Sequence, residues 1–490
     1  MRPMPIQLGE WLPDQPELAN PGALVARNVV PRAVGYGQLQ TFEPVTAAAG
    51  ERILGGAWLE ANGNIEVVVG TPTRILRLLD NAWSAIGTGY PNVVNWEFAV
   101  FGEDVYAVAP GVQPQRIDMG AGSPSAVNAP GSPSAPPGAG RVAVVGDFIV
   151  LGDITANPNL IQWSGYNNAG VWDPNGDVLT QADSQELFEG GRVQKIVGGT
   201  IGYVFQERRI RTMRYAGPPL VFEIQVINYD RGAVAADSVV RAGDRVFFYA
   251  QDGFHEVRGG SFNPIGRERV DRWFLENAAS DDITNVRGVV DRSNNLVLWA
   301  FRSNSALDNY DLALIYNYAI NRWSYAEIGD IGIATLFEIR SAGYNLDTLA
   351  TLLPGGMATD VINMDSPAYK GGRLAVYGAS DSGSIGSLTG AALDATIDTG
   401  EFEPGEAKRA SLSGIRPIVE GGSGTTTTVQ LGRRNTLSAP VDWTPERGLN
   451  ALDEASILSD ARYHRVRLNI SGGFQRATRA DAILRPSGRF

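Results

Sequence analysis

Leu314-Ile315-Tyr316-Asn317-Tyr318-Ala319-Ile320-Asn321-Arg322-Trp323-Ser324-Tyr325-Ala326-Glu327-Ile328 reads as a strand, a turn and a returning strand. The first strand alternates its faces, the Asn-containing tetrapeptide reverses the chain, and Trp opens the return with a large side chain to bury. Ile75-Leu76-Arg77-Leu78-Leu79-Asp80-Asn81-Ala82-Trp83-Ser84-Ala85-Ile86 is a second copy of the phrase. A strand–turn–strand unit scattered along a chain points to blades repeated around an axis.

Working outward, the same cadence returns. Trp96–Phe101 turns at Gly102-Glu103-Asp104 into Val105–Ala109. Arg141–Val145 turns at Gly146-Asp147 into Phe148–Leu151, and Asp244–Tyr249 turns at Gln251-Asp252-Gly253 into Phe254–Val257. Val286–Asp291 returns through Ser293-Asn294-Asn295 as Leu296–Phe301. These are hairpins with Gly- and Asn-rich turns, spaced by roughly 40–50 residues, the period of propeller blades. The repeats are too irregular to fix a blade number. The best helix candidate is 267–279, and irregular stretches are expected at 119–140, rich in Pro, Gly and Ser, and at 341–372.

The ends differ from the middle. Residues 1–50 are broken by Pro at Leu12-Pro13-Asp14-Gln15-Pro16, Asn20-Pro21-Gly22 and Val30-Pro31. They carry Trp11, Leu24, Val29, Val30, Tyr36 and Leu39, which need cover, so this stretch reads as an ordered extended arm docked on another surface. Past residue 390, Ala410–Glu420, Thr425–Leu431 and Tyr463–Ile470 alternate as strands of a small β-sandwich, with Arg465 and Arg467 on one face. The expected architecture is all-β: an arm over 1–50, an irregular β-propeller over 51–390 with a Pro/Gly/Ser-rich loop at 119–140, and a β-sandwich over 391–490.

The 490 residues carry a net charge of −12 and no cysteine. Disulfides, thiolate metal sites and cysteine nucleophiles are excluded. The charge argues against a nucleic-acid-coating role, which needs clustered Lys and Arg. The start of the chain has no apolar core of signal-peptide type, and no stretch approaches the ~20 apolar residues of a membrane helix, so synthesis in a cytoplasm without membrane insertion is expected. Nearly all basic residues are Arg. Arg makes forked bonds to carboxylates, although a GC-rich coding sequence would leave the same composition.

No residue is nominated for catalysis, metal or cofactor binding. His255 and His464 each sit in a strand pattern and read as core histidines. Asp173-Pro174-Asn175-Gly176-Asp177 has a calcium-loop flavour but Ser184 stands where the loop's Glu belongs, so it reads as a turn. Ser380-Asp381-Ser382-Gly383 lacks the Trp of an Asp-box and also reads as a turn. Trp83, Trp299 and Trp323 are expected in the core rather than on a sugar-binding platform. Paired carboxylates for glycoside hydrolysis are a spatial property that the sequence does not single out.

Three stretches carry a family resemblance: Trp11–Pro16 through Asn28–Pro31 and Gly35-Tyr36; residues 141–151 with 192–215; and Asp460–Leu468 followed by Pro486–Arg489. Together they resemble the tail nozzle or tail hub proteins of short-tailed bacteriophages, also called packaged-DNA stabilisation or head-completion proteins. The resemblance implies a structural virion protein of the tail, without enzymatic activity or cofactor. It implies a homo-hexameric ring below the portal–adaptor, with tail needle, tailspike or fibre proteins around or below it and a central channel conducting genomic DNA. Channel-lining residues are unassigned. The alternatives are a receptor- or glycan-binding tail propeller and a propeller glycoside hydrolase.

A net charge of −12 leaves no general excess of cation to displace counterions from DNA. Gel-shift titration against duplex DNA at physiological salt is therefore expected to show no submicromolar binding. The local exception to watch is Arg208, Arg209, Arg211 and Arg214, where Arg209 and Arg211 share a strand face and are expected to meet acidic partners.

Overall fold

The computed structural model describes residues 3–61, 64–79, 81–306, 309–329, 332–340, 374–404, 409–422 and 424–485. Among them, seven antiparallel four-stranded units succeed one another. Blade 1 runs from Gly55 to Thr88, blade 2 from Glu97 to Asn128, blade 3 from Ala139 to Glu186 and blade 4 from Val193 to Asn228. Blade 5 runs from Val240 to Pro264 and blade 6 from Arg287 to Glu327. Blade 7 takes Ile333–Arg340, Leu374–Ser380 and Ile385–Ser387, and its fourth strand comes from the N-terminal arm. The first strand of blade 7 packs on the first strand of blade 1, closing a β-propeller.

Propeller packing explains the strand sequences. A blade in the ring has a neighbour on each face, so both faces must be apolar. In blade 6, Leu296, Leu298 and Ala300 pack toward blade 7, while Val297, Trp299 and Phe301 pack toward blade 5. In blade 2, Val105 and Ala107 face blade 1, and Tyr106 and Val108 face blade 3. Phe148–Ile154 of blade 3 is buried at every position. Seven apolar clusters fill the seven interfaces between blades. The turn residues do what their type allows: Asn81, Asn295 and Asn321 take positive φ at hairpin bends.

The N-terminal arm is built into its own chain. Its strands are β1 (Pro3–Gln7), β2 (Ala23–Arg27), β3 (Val29–Pro31), β4 (Tyr36–Gln38) and β5 (Glu43–Pro44). β1 and β4 both pair with Phe474–Arg485, and β3 pairs with β4. β2 lies between the last strand of blade 6 and Ala395–Thr399, so one continuous sheet runs from propeller into sandwich. β5 is the outer strand of blade 7, through Glu43 opposite Ser387 and Pro44 opposite Gly386. The ring's last blade is thus completed by residues that precede its first.

The sandwich begins at Ala395 and uses Ala410–Gly421, Thr426–Arg434, Tyr463–Ser471 and Phe474–Arg485. Its core is continuous with that of blades 5 and 6 and includes Leu8, Trp11, Val29 and Tyr36 from the arm. Trp11 is fully buried, with Trp273 edge-on at 4.9 Å and Tyr325 at 4.9 Å. The helix is shorter than expected: α1 covers Asp271–Asn277. Its N-terminus is capped from a distance by Asp14, whose carboxylate accepts the Arg272 and Trp273 N–H groups at 2.9 and 2.8 Å.

The 119–140 stretch is not an exposed loop throughout. Ala126–Asn128 is the outer strand of blade 2, Ser132–Pro133 pairs with Val171–Trp172, and Ala139 starts blade 3. Small residues suit these close approaches: a Cβ on Gly131 would lie 2.2 Å from the Ser134 carbonyl. The 341–372 stretch lies outside the described residues.

Deleting residues 1–40 removes four strands and the Trp11 anchor, so the deletion is expected to lose cooperative unfolding rather than leave a folded propeller. The milder Trp11→Ala is expected to cost about 3–5 kcal/mol in chemical denaturation. A deletion variant that unfolds at the wild-type midpoint would overturn this account.

Candidate functional site: the propeller axis

The innermost strand of each blade runs along the propeller axis, and polar side chains gather at the N-terminal ends of these strands. Glu97 comes from blade 2, Arg141 from blade 3, Lys195 from blade 4 and Arg287 from blade 6. Asp237 comes from a 3-10 turn, Ala236–Ser238, that precedes blade 5. That turn is held in place by Trp299 of blade 6, whose indole N–H donates to the Ser238 carbonyl at 3.0 Å.

Arg287 is the hub. It donates to Asp237 at 3.0 Å, to the Asn95 side-chain carbonyl at 3.1 Å, to the Leu54 carbonyl at 2.9 Å and to the Thr335 hydroxyl. Leu54 leads into blade 1, Asn95 into blade 2, and Thr335 lies in blade 7. Asp237 also faces Lys195 at 3.5 Å and Arg141 at 3.6 Å, and Glu97 faces both of these cations at 3.2 Å. Residues in or leading into all seven blades therefore meet in one network of ion pairs and hydrogen bonds. Burial alone would raise the Asp237 carboxyl, but Arg287, Lys195 and Arg141 outweigh it and hold the group far below the usual carboxylate range.

Past this cluster the axis opens into a cavity of about 450 Å³. Its wall continues through Phe98, Val100, Val144, Ile196, Val240 and Phe337, with Arg241 among them. Arg241 donates to the carbonyls of Gly198, Ile201 and Gly243. Duplex DNA cannot thread this axis: its major groove alone is ~12 Å wide, whereas charged side chains meet across the axis at bonding distance.

The residues weighed from sequence fall elsewhere. His255 is buried between Phe248 and Phe262, with Nδ1 on the Gly253 carbonyl at 2.9 Å. His464 is fully buried, with Nε2 near the Ala410 and Ala461 carbonyls. Burial lowers both imidazoles and favours their neutral form. Asp177 accepts from the Leu179 and Thr180 N–H groups, and the Gly383 N–H closes a turn on the Ser380 carbonyl. Trp299 and Trp323 are core. Trp83 is only half-buried, and its N–H instead holds the arm through the Ala47 carbonyl at 2.8 Å. Arg209 pairs with Glu189 at 2.7 Å, as the alternation suggested, but Arg211 bonds Gln206 and the Phe188 carbonyl rather than a carboxylate. Arg465 and Arg467 converge on Asp398, which is fully buried.

The axial cluster was not anticipated. Its signal was a charged residue followed by an apolar one where blades begin: Glu97-Phe98, Arg141-Val142, Lys195-Ile196 and Arg287-Gly288-Val289. Only a closed ring places these residues together.

No family model and no curated protein matches the chain. Similar solved structures include BBS1N in complex with ARL6DN, at 10% identity and a TM-score of 0.41, covering 72% of this chain and 97% of that one. YCF48 bound to D1 peptide is similar at 10% identity and a TM-score of 0.36, covering 61% and 92%. The extracellular domain of a putative one-component system from B. thetaiotaomicron is similar at 11% identity and a TM-score of 0.35, covering 61% and 39%.

Asp237→Asn or Arg287→Met breaks the partly buried network and is expected to cost about 1–3 kcal/mol in denaturant unfolding. Because Asp237 is held below its unfolded value, its contribution is full above about pH 4 and is lost on further acidification. Asp271 behaves in the opposite way. Burial, then the nearby Asp14 and Asp252, raises its carboxyl to about 7 against the pull of the Phe254 N–H. The fold favours its neutral form, so stability falls as pH rises from about 4 through 7. Asp271→Asn is expected to gain stability over wild type at pH 8 and to lose that gain near pH 4, read as thermal midpoints across the pH range.

Proposed function

We propose that this chain is a structural subunit of a short-tailed phage tail, a nozzle or hub protein that acts by shape rather than by catalysis. The observation that carries the reading is continuity. The opening arm, the middle blades and Asp460–Leu468 of the closing sandwich, stretches with the family resemblance, fold into one body, while 486–489 lie outside the described residues. The arm crosses from sandwich to propeller and completes its last blade. A body without a free hinge between its two parts transmits force across a ring of subunits, which suits a role in retaining pressurised DNA.

Since the propeller axis is closed by ion pairs, the conduit in this reading lies between subunits, around the rotation axis of a homo-hexameric ring. The portal–adaptor sits above, tail needle, tailspike or fibre proteins lie around or below, and genomic DNA makes transient non-specific contact. A second reading, a receptor- or glycan-binding tail propeller, draws on one feature. Tyr166 and Tyr215 stack at 6.1 Å on blades 3 and 4 while remaining 49% and 41% exposed.

Negative-stain imaging of virions labelled for this protein tests the choice. A collar of label at the tail axis with a six-fold purified ring is expected. A monomer or trimer with glycan affinity, and label confined to peripheral fibres, would overturn the nozzle reading.

A further inference from the structure

We propose that the axial cavity is a binding site for a multivalent oxyanion of the diphosphate type. The argument starts from charge. Lys195, Arg241 and Arg287 line the cavity together with Glu97 and Asp237, and Arg141 stands behind the lining, paired with both carboxylates. Against these four cations are two carboxylates, Glu97 and Asp237. Asp153, the next acid on blade 3, is engaged by Arg192 at 2.6 Å. The surplus is local, because the chain as a whole carries −12.

Partly desolvated positive charge without a counter-ion is costly, and the network leaves donors unused. The Arg141 Nε is buried without a hydrogen-bond partner. Arg241 makes no ion pair among the described residues and is met only by carbonyl oxygens. The Lys195 ammonium has three N–H groups and two carboxylates nearby. Lys195 and Arg241 belong to different levels of the axis: Lys195 is in the ion cluster, while Arg241 reaches Gly198, just past the strand that carries Lys195. Two separated cations in a cavity of about 450 Å³ suit an anion with two charged ends better than a single small one. Arg287 is saturated by its own four bonds and serves as wall.

This site is independent of ring assembly, so it stands or falls apart from the nozzle reading. The test is calorimetric titration of the full chain with inorganic pyrophosphate, with orthophosphate and chloride at matched ionic strength. Expected are saturable binding of one pyrophosphate per chain, at least tenfold weaker orthophosphate, a dose-dependent rise in thermal midpoint and no effect of chloride. Arg241→Gln, which lies outside the ion cluster, is expected to weaken pyrophosphate at least tenfold while keeping the ligand-free midpoint. Lys195→Met is expected to weaken pyrophosphate likewise but to lower the ligand-free midpoint, because it also breaks the pairs with Glu97 and Asp237, so Arg241→Gln decides if Lys195→Met does not fold. Absence of saturable binding to the wild type overturns the proposal, as does unchanged affinity in folded Arg241→Gln.

Discussion

A single guanidinium sets the geometry on which the ring depends. Arg287, in blade 6, bonds atoms belonging to or leading into blades 1, 2, 5 and 7. Through Asp237 it is coupled to Lys195 and Arg141 of blades 4 and 3. Apolar packing between blades is strong but non-directional, and by itself tolerates sliding. A buried charge network tolerates very little, because a displaced partner leaves an ion unpaired in a poorly solvated place. The seven clusters of apolar side chains supply the bulk of the burial, and the axial network gives those seven interfaces a common centre.

The arm imposes the second constraint. A propeller must join its last blade to its first, and here β5 does so after the chain has already threaded the sandwich. β2 is an interior strand, paired with blade 6 on one side and with Ala395–Thr399 on the other. Propeller and sandwich therefore share hydrogen bonds, and through Trp11 and Tyr36 they share a core. The outer edge at β1 carries Pro3 and Pro5, residues without an N–H to offer an incoming strand. Asp14 ties the same arm to α1. An arm so placed unites the two parts of its own chain.

Much of the propeller was legible in the sequence because its signals are local. Leu314–Ile328 bends at Asn321, where an Asn tolerates positive φ, and Trp323 is buried as the phrase requires. Phe148–Leu151 and Leu296–Phe301 are apolar at successive positions, as strands covered on both faces must be. The errors also have local causes. Trp83 repeats the position of Trp323, but on the outer strand of blade 1 it packs only at the margin of the cluster shared with blade 7, so it stays half-buried and bonds Ala47. The Ser- and Pro-rich segment before blade 3 lacks large apolar residues and reads as loop, although Ala126–Asn128 pairs because blade 2 presents an open edge.

The sequence by itself determined the fold class, the hairpin repeat, the absence of thiol chemistry and the acidic charge, since each follows from residue type and spacing alone. Only the tertiary structure decided the number of blades, the destination of the arm and the meeting of Glu97, Arg141, Lys195, Asp237 and Arg287. The arm's short, Pro-broken strands carry no periodicity of their own, and apart from the β3–β4 pair they join edges supplied by residues hundreds of positions away. The axial charges are separated by some 190 residues of chain and become neighbours only because seven blades close around one axis, a condition that no window of sequence contains.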